Sequence, residues 1–356
     1  MQNNGERIMK GIVIGLLFVF QSVAWSTTET VVTIPQNGSL ENGLQKALEE
    51  AKIRFPNHAF WVGYGIEVML PEHDTVMGAQ HVNIQGTINS GRKGPTLGEL
   101  ITGEPEPRIF VGDNKTVQNR AKQALADLNA APQKLYPQQV AILFRMPAGA
   151  ASLNTASDIC YSSYSIHFDL ESLPLIWVGD GDAQQSLALL EKLYGAEHSR
   201  NFKPVLVSAI GMHRPLPEAN AFLKSVLASH DSEDVRATAI EALSYVRDAG
   251  ALNALVQTAK SDPSMEMRTT AIEQLAEWND PKALAVVREI AETPSTEELQ
   301  QVAMQALSES NDGLSSVIEI AKHGKNAQTR RMAIEILGDS DDTRARKALI
   351  EILEGT

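Results

Sequence analysis

The sequence predicts an all-α right-handed solenoid of stacked helix pairs over residues 170–356, preceded by a small mixed α/β domain over residues 27–169. Three observations carry that expectation. The second half repeats itself at a spacing of roughly thirty residues. The first half has no period and mixes aromatic and β-branched stretches with one clear amphipathic run. Ahead of both, residues 1–26 have the order of an export signal.

In that leader, Arg7 and Lys10 precede an apolar run from Gly11 to Ala24, interrupted by Gln21 and Ser22. Ala24 and Ser26 stand where a signal peptidase needs small side chains, so cleavage is expected after Ser26. The run falls short of the ~20 residues a helix needs to cross a bilayer core, which favours a removed leader over a membrane anchor. No cysteine lies near the cleavage site, so a bacterial lipid anchor there is excluded on chemistry. The expected location is the periplasm or the medium, with no stable membrane insertion after cleavage.

The α/β domain begins with Ser39, which should cap a helix from Leu40 to about Phe55, with Leu44, Ala47, Leu48 and Ala51 on one stripe. Pro56-Asn57 ends it. Ala59 to Met69 is rich in aromatic and β-branched residues and reads as a strand. Residues 71–107 contain several glycines and prolines and read as a long connection. Arg108–Val111 reads as a short strand, Lys115–Leu128 as a helix and Gln139–Arg145 as another strand. Tyr161, Tyr164, Ile166 and Phe168 suggest a last strand before the solenoid.

The solenoid rests on four aligned segments: Val235 to Leu243, Met267 to Leu275, Leu299 to Leu307 and Thr329 to Leu337. Their alanines, Ala239, Ala271, Ala303 and Ala333, are 32, 32 and 30 residues apart, and a fainter copy around Ala209 lies 30 residues upstream. Within each copy the apolar positions fall at i, i+4, i+5 and i+8, one stripe of an amphipathic helix, and the alanine lets a neighbour approach closely. An aspartate follows each copy at the same spacing: Asp248, Asp280, Asp312 and Asp342. Each is expected to cap a second helix, and Pro281 sits where proline suits the first helical position. Ser295 and Glu298 have the spacing of a capping box for the next first helix. One such pair cannot bury both its faces, and stacking the units does.

This pattern resembles the HEAT family, in the short bacterial form also found in phycobilin-lyase proteins. Arg236, Arg268 and Arg330 match its V-R-x-x-A-I-x-A-L motif, while Gln300 departs from it. The resemblance covers residues 203–353, or about 173–353 if a degenerate unit at Leu173–Leu193 is counted, and leaves the N-terminal domain unrecognised. It implies a scaffold that binds another protein, with the second helices lining the concave face. Gln257, Glu289, Glu319 and Glu351 occupy equivalent positions on those second helices and are the expected partner-binding row, unless they form an ordinary solvated face. A phycobilin-lyase role is also implied, but the export signal argues against it.

Composition narrows the partners. The chain of 356 residues has 31 basic and 44 acidic residues, a net charge of −13, which repels nucleic-acid phosphates and anionic lipid. Residues after Ser232 hold 22 acidic and 13 basic side chains, so most of the excess sits on the last four units. The single cysteine, Cys160, forbids internal disulfides and multi-cysteine metal sites, and its alternating context suits a buried apolar role in a strand.

Candidate chemistry is sparse. His73, Asp74 and His81 are the densest metal-like cluster but lack a helical ligand spacing, so no metal or cofactor is expected. Asp180, Asp182 and Glu191 echo a calcium loop, yet Gln185 stands where that loop needs glycine, and helix capping explains the aspartates. Ser308, Ser310, Asp312, Gly313 and Glu319 give a second partial match already explained by the repeat turn. Nucleophile-elbow, dinucleotide and Walker motifs are missing from the sequence. The leading expectation is an exported, non-enzymatic protein-binding scaffold. The alternative is an enzyme with its active site in the α/β domain, drawing on His73, Asp74, His81, Arg108, Arg145, Cys160 and His167, with the repeats as a substrate arm.

Overall fold

The structure is a computed structural model and describes residues 31–35, 38–71, 75–79, 95–103, 135–166, 168–196, 202–278, 280–310 and 312–354. Among these, a mixed six-stranded sheet with helices forms the N-terminal part, and a series of paired helices runs from about residue 200 onward.

The N-terminal elements are β1 (Val31–Thr33), α1 (Leu40–Arg54), β2 (Phe60–Pro71), β3 (Met77–Ala79), α2 (Leu97–Thr102), β4 (Leu135–Met146), β5 (Asp158–Ser163), β6 (Leu175–Asp180) and α3 (Ala183–Tyr194). Ser39 caps α1 by accepting the Asn42 amide, as its position predicts. The strand order is β1-β6-β2-β4-β5-β3, with β1, β6 and β2 parallel and the remaining neighbours antiparallel. β2 and β4 pair along their whole length, from Phe60 opposite Met146 to Pro71 opposite Leu135.

Alternation along the strands gives the sheet two apolar faces. Val62, Tyr64, Ile66, Ile142, Phe144 and Ile176 join α1, α3 and the helical stack in one core. Trp61, Leu143, Cys160, Leu175 and Trp177 form a second core with Leu97, Phe168 and Leu170 on the far side. Strands apolar on both faces cannot show the two-residue period of a half-exposed strand. Leu175–Asp180, on the solenoid side of residue 169 in the sequence reading and within its degenerate unit Leu173–Leu193, is such a strand, paired with β1 and β2. The stretch that the sequence predicts as an irregular connection contains β3 and α2. The strand and helix expected at 108–111 and 115–128 lie outside the described residues, as does the leader.

The stack consists of α4 (Phe202–Gly211), α5 (Pro217–Leu227), α6 (Glu233–Ser244), α7 (Ala249–Ser261), α8 (Met265–Glu277), α9 (Pro281–Glu292), α10 (Glu297–Glu309), α11 (Gly313–His323), α12 (Ala327–Asp339) and α13 (Thr343–Glu354). The repeat alanines are fully buried, as their close-packing role requires. Each of α5, α7, α9 and α11 packs more extensively against the helix that follows it than against the helix that precedes it. The even-numbered helices also pack on one another along the stack more closely than the odd-numbered ones do. The array is thus packed more extensively on its α4-α6-α8-α10-α12 side.

The expected caps form at Asp248, which accepts the Ala251 amide at 2.6 Å, and at Asp280, which accepts those of Lys282 and Ala283. Asp342 accepts the Arg344 amide at 2.7 Å. At α11 the Gly313 amide goes to the Ser310 hydroxyl instead, because Asp312 has helical rather than extended backbone angles. α10 is capped by Thr296, not Ser295, since the helix begins one residue later than the spacing suggests.

Candidate interaction surface of the helical stack

The joints between units explain the motif arginines. Arg236 donates from Nε to the Leu227 carbonyl at the end of α5 (2.9 Å) and pairs with Asp262, which is largely buried. Arg268 repeats the arrangement one unit on, reaching the Ala259 carbonyl and the Ser295 hydroxyl. Gln300, the departure from the motif, keeps the same two directions with a shorter arm: its amide donates to the Ala291 carbonyl (2.8 Å) and to Thr329 Oγ1 (3.0 Å). Arg330 reaches the Gly324 carbonyl (2.6 Å). Each side chain satisfies a helix C-terminal carbonyl left without an intrahelical donor. These arginines are structural ties, and their ladder accounts for Ser295 being taken from its expected cap.

The expected partner-binding row lies on α7, α9, α11 and α13. Gln257, Glu289 and Glu319 are exposed, and Glu351 is half-buried. Two of the four are already neutralised between units. Lys260 on α7 bonds Glu289 on α9 (2.7 Å), and Lys322 on α11 bonds Glu351 on α13 (2.5 Å).

The opposite side differs. Two residues past each repeat alanine come Glu241, Glu273, Gln305 and Glu335, and six past come Tyr245, Glu277, Glu309 and Asp339. Helical geometry puts these two rows side by side on the outer surface of α6, α8, α10 and α12. Between α8 and α10 the surface opens into a groove of about 890 Å³, with Ala276, Val302 and Ala306 among its apolar lining, Glu273, Glu277 and Glu309 along it, and Arg344, paired with Asp342 (2.8 Å), also in its lining. Among the described residues, none of the salt bridges involves Glu241, Glu273, Glu277 or Glu309. Partial burial and the Glu277 carboxylate push the Glu241 carboxyl above its usual value. Partial burial and the carboxylates of Glu277 and Glu309 do the same to Glu273. Tyr245 continues the row with 64% of its surface exposed, and the Arg214 guanidinium lies 5.8 Å from its ring centre. Both rows are legible in the repeat alignment.

Of the residues of the enzymatic alternative, Arg145 and Cys160 lie among the described residues, on the neighbouring strands β4 and β5. Arg145 on β4 pairs with Glu171 (2.9 Å). Cys160 is fully buried in β5, and burial together with the Asp158 charge pushes its thiol well above the ordinary value, away from the reactive thiolate. His73, Asp74, His81, Arg108 and His167 lie outside the described residues. Asp182 caps α3 through the Gln184 and Gln185 amides, whereas Asp180 accepts the Tyr164 hydroxyl (3.1 Å) rather than capping a helix. No group of three or more metal-binding side chains occurs among the described residues.

One buried polar chain joins sheet to stack. His213, just past α4, lies with Nδ1 3.0 Å from the Ala209 carbonyl, an acceptor, so Nδ1 carries the proton. Nε2 then accepts from the Ser186 hydroxyl of α3 (2.9 Å), which in turn accepts from the Tyr64 hydroxyl of β2 (2.9 Å). Burial holds His213 below the ordinary imidazole range and pushes the Tyr64 hydroxyl up. This serine–histidine pair is sealed from solvent, so it serves as a latch rather than a nucleophile.

Residues 220–308 match the family of HEAT repeats. The matched stretch runs from α5 to α10, and the sheet region has no family assigned. No curated protein matches the chain. Among solved structures twelve chains match. One is a de novo designed 16-helix transmembrane nanopore, 20% identical over 48% of this chain and 61% of that one, at a TM-score of 0.12. A score that low carries no argument about fold or function. Among the described residues no helix is long and apolar enough to cross a membrane.

Proposed function

We propose that this protein is an exported, non-enzymatic scaffold whose helical stack binds another protein. The observation that carries the reading is the run of HEAT repeats, whose units bury their alanine stripes against one another and leave long, ordered polar surfaces on both sides. A rigid extended surface of this kind suits a protein partner better than a small molecule, which needs a concave apolar cavity. Nucleic acid and anionic lipid are disfavoured by the net charge of −13. Export is supported by the order of charged, apolar and small residues through Ser26.

Of the two faces, the side built by α6, α8, α10 and α12 is the favoured contact surface, because on the odd-numbered helices two of the row's three acids, Glu289 and Glu351, are already paired with lysines. Photo-crosslinking from a probe at Gln305, set against one at Gln257, tests both the reading and the face in cells of the source. Specific adducts at Gln305 are expected, and none above background at either position would overturn the scaffold reading. Mass spectrometry of the mature chain tests export. An N-terminus at Thr27 is expected, and an intact Met1 in the cytoplasm would refute it.

A further inference from the structure

We propose that the groove between α8 and α10 receives a lysine- or arginine-rich segment of the partner protein. The inference rests on the scaffold reading and adds the chemistry of the partner.

The first argument is an asymmetry of charge within one stack. On the odd-numbered helices the fold supplies its own cations, with Lys260 on Glu289 and Lys322 on Glu351 bridging adjacent units. On the even-numbered side Glu241, Glu273, Glu277 and Glu309 face one another across three units without such a bridge among the described residues. Partial burial first, and then the neighbouring carboxylates, hold the Glu241 and Glu273 carboxyls above their usual value. Like charges brought together in this way oppose folding, and an incoming cation relieves the repulsion.

The second argument is the shape and lining of the groove. Ala276, Val302 and Ala306 offer small apolar contacts, while the carboxylates stand along the same channel. Lysine and arginine have that division: an apolar stem that lies on such a floor and a charged head that reaches its rim. Gln274 and Gln301 line the same channel and provide donors and acceptors for the main chain of an extended segment, while the Gln305 amide donates to Glu309 (2.6 Å). Tyr245, one unit before, continues the Glu277–Glu309 row and already holds a cation, the Arg214 guanidinium, against its ring.

The test uses the full mature chain and a fluorescent peptide of about twelve residues alternating lysine and alanine, with a glutamate–alanine peptide as control. Binding is measured at low and physiological salt for the wild type, for Glu273→Gln/Glu277→Gln, and for Glu289→Gln/Glu319→Gln. Both variants change net charge equally, and circular dichroism verifies that each is folded. The groove variant should bind the lysine peptide about fivefold or more weakly, and the other variant should stay within about twofold of wild type. Equal weakening by both variants would mean a diffuse field rather than a site. Weakening by the second variant alone would move the site to the other face, and no binding by the wild type would end the proposal outright. If crosslinked partner adducts at Gln305 persist in the groove variant and resist competition by the lysine peptide, the partner chemistry is wrong while the scaffold reading stands. If adducts are missing from the wild type, the scaffold reading is what fails.

Discussion

Replacing Ala271 with leucine puts three more carbons into the closest-packed point of an interior unit. Ala271 is fully buried on α8, which is flanked by even-numbered helices on both sides, α6 and α10, and also touches α7 and α9. Ala333 is as deeply buried on α12, but α12 has α10 on one side only, with α11 and α13 behind it. Overpacking costs ~1–3 kcal/mol, toward the upper end where the neighbours cannot move apart. We therefore expect about 2–3 kcal/mol at Ala271 and about 1 kcal/mol at Ala333, where the helix can shift outward. With a urea slope of ~2 kcal/mol per molar, the midpoint falls by about 1 M or more for Ala271→Leu and by about 0.5 M for Ala333→Leu. Urea titration followed by far-ultraviolet circular dichroism measures both. Equal shifts, or a larger shift at Ala333, would refute the claim that each unit is stabilised chiefly by its two neighbours.

Acid sensitivity should trace to the latch between sheet and stack. An unfolded chain protonates His213 near its ordinary pKa of 6.5, while the folded site holds the imidazole below that, so the unfolded state binds more protons as pH falls. Stability contributed there is complete above about pH 6.5 and drains away below it, at up to about 1.4 kcal/mol per pH unit. His213→Gln should flatten the melting-temperature profile between pH 6.5 and pH 5, and an unchanged slope would clear His213 of the role. At the unit joint, Arg236→Met strands Asp262 in a largely buried position and should cost about 3 kcal/mol, whereas adding Asp262→Asn should recover part of it in a double-mutant cycle. In the sheet, a Cβ at Gly63 would lie 2.2 Å from Leu143 Cδ2 and 2.8 Å from the Ile142 carbonyl oxygen. Gly63→Ala should accordingly lower the melting temperature by several degrees, and a neutral result would mean that β2 and β4 can separate more easily than their full-length pairing implies.

The helical stack was legible from sequence because its rules are local. An apolar stripe at helical spacing, an alanine at its centre and an aspartate at the turn specify each helix within a dozen residues, and the period then requires the helices to stack. Ser39, Asp248 and Asp280 cap where their positions predict for the same reason: a cap and its amide lie two or three residues apart. What escaped depends on residues far away in the chain. Leu175–Asp180 becomes a strand by pairing with Val31–Thr33 and with β2, more than a hundred residues upstream, and burial on both faces erases the alternation that would have marked it. Ser295 looks like a cap until Arg268 claims it from the preceding unit. The candidate face shows the same division. The rows Glu241–Glu273–Gln305–Glu335 and Tyr245–Glu277–Glu309–Asp339 are written in the repeat, but which acids meet lysines is set by how neighbouring helices lie. Lysines 29 residues before Glu289 and Glu351 reach across to neutralise one side. On the other side the packing of α8 against α10 brings Glu273, Glu277 and Glu309 along one groove, and among the described residues none of the three forms a salt bridge.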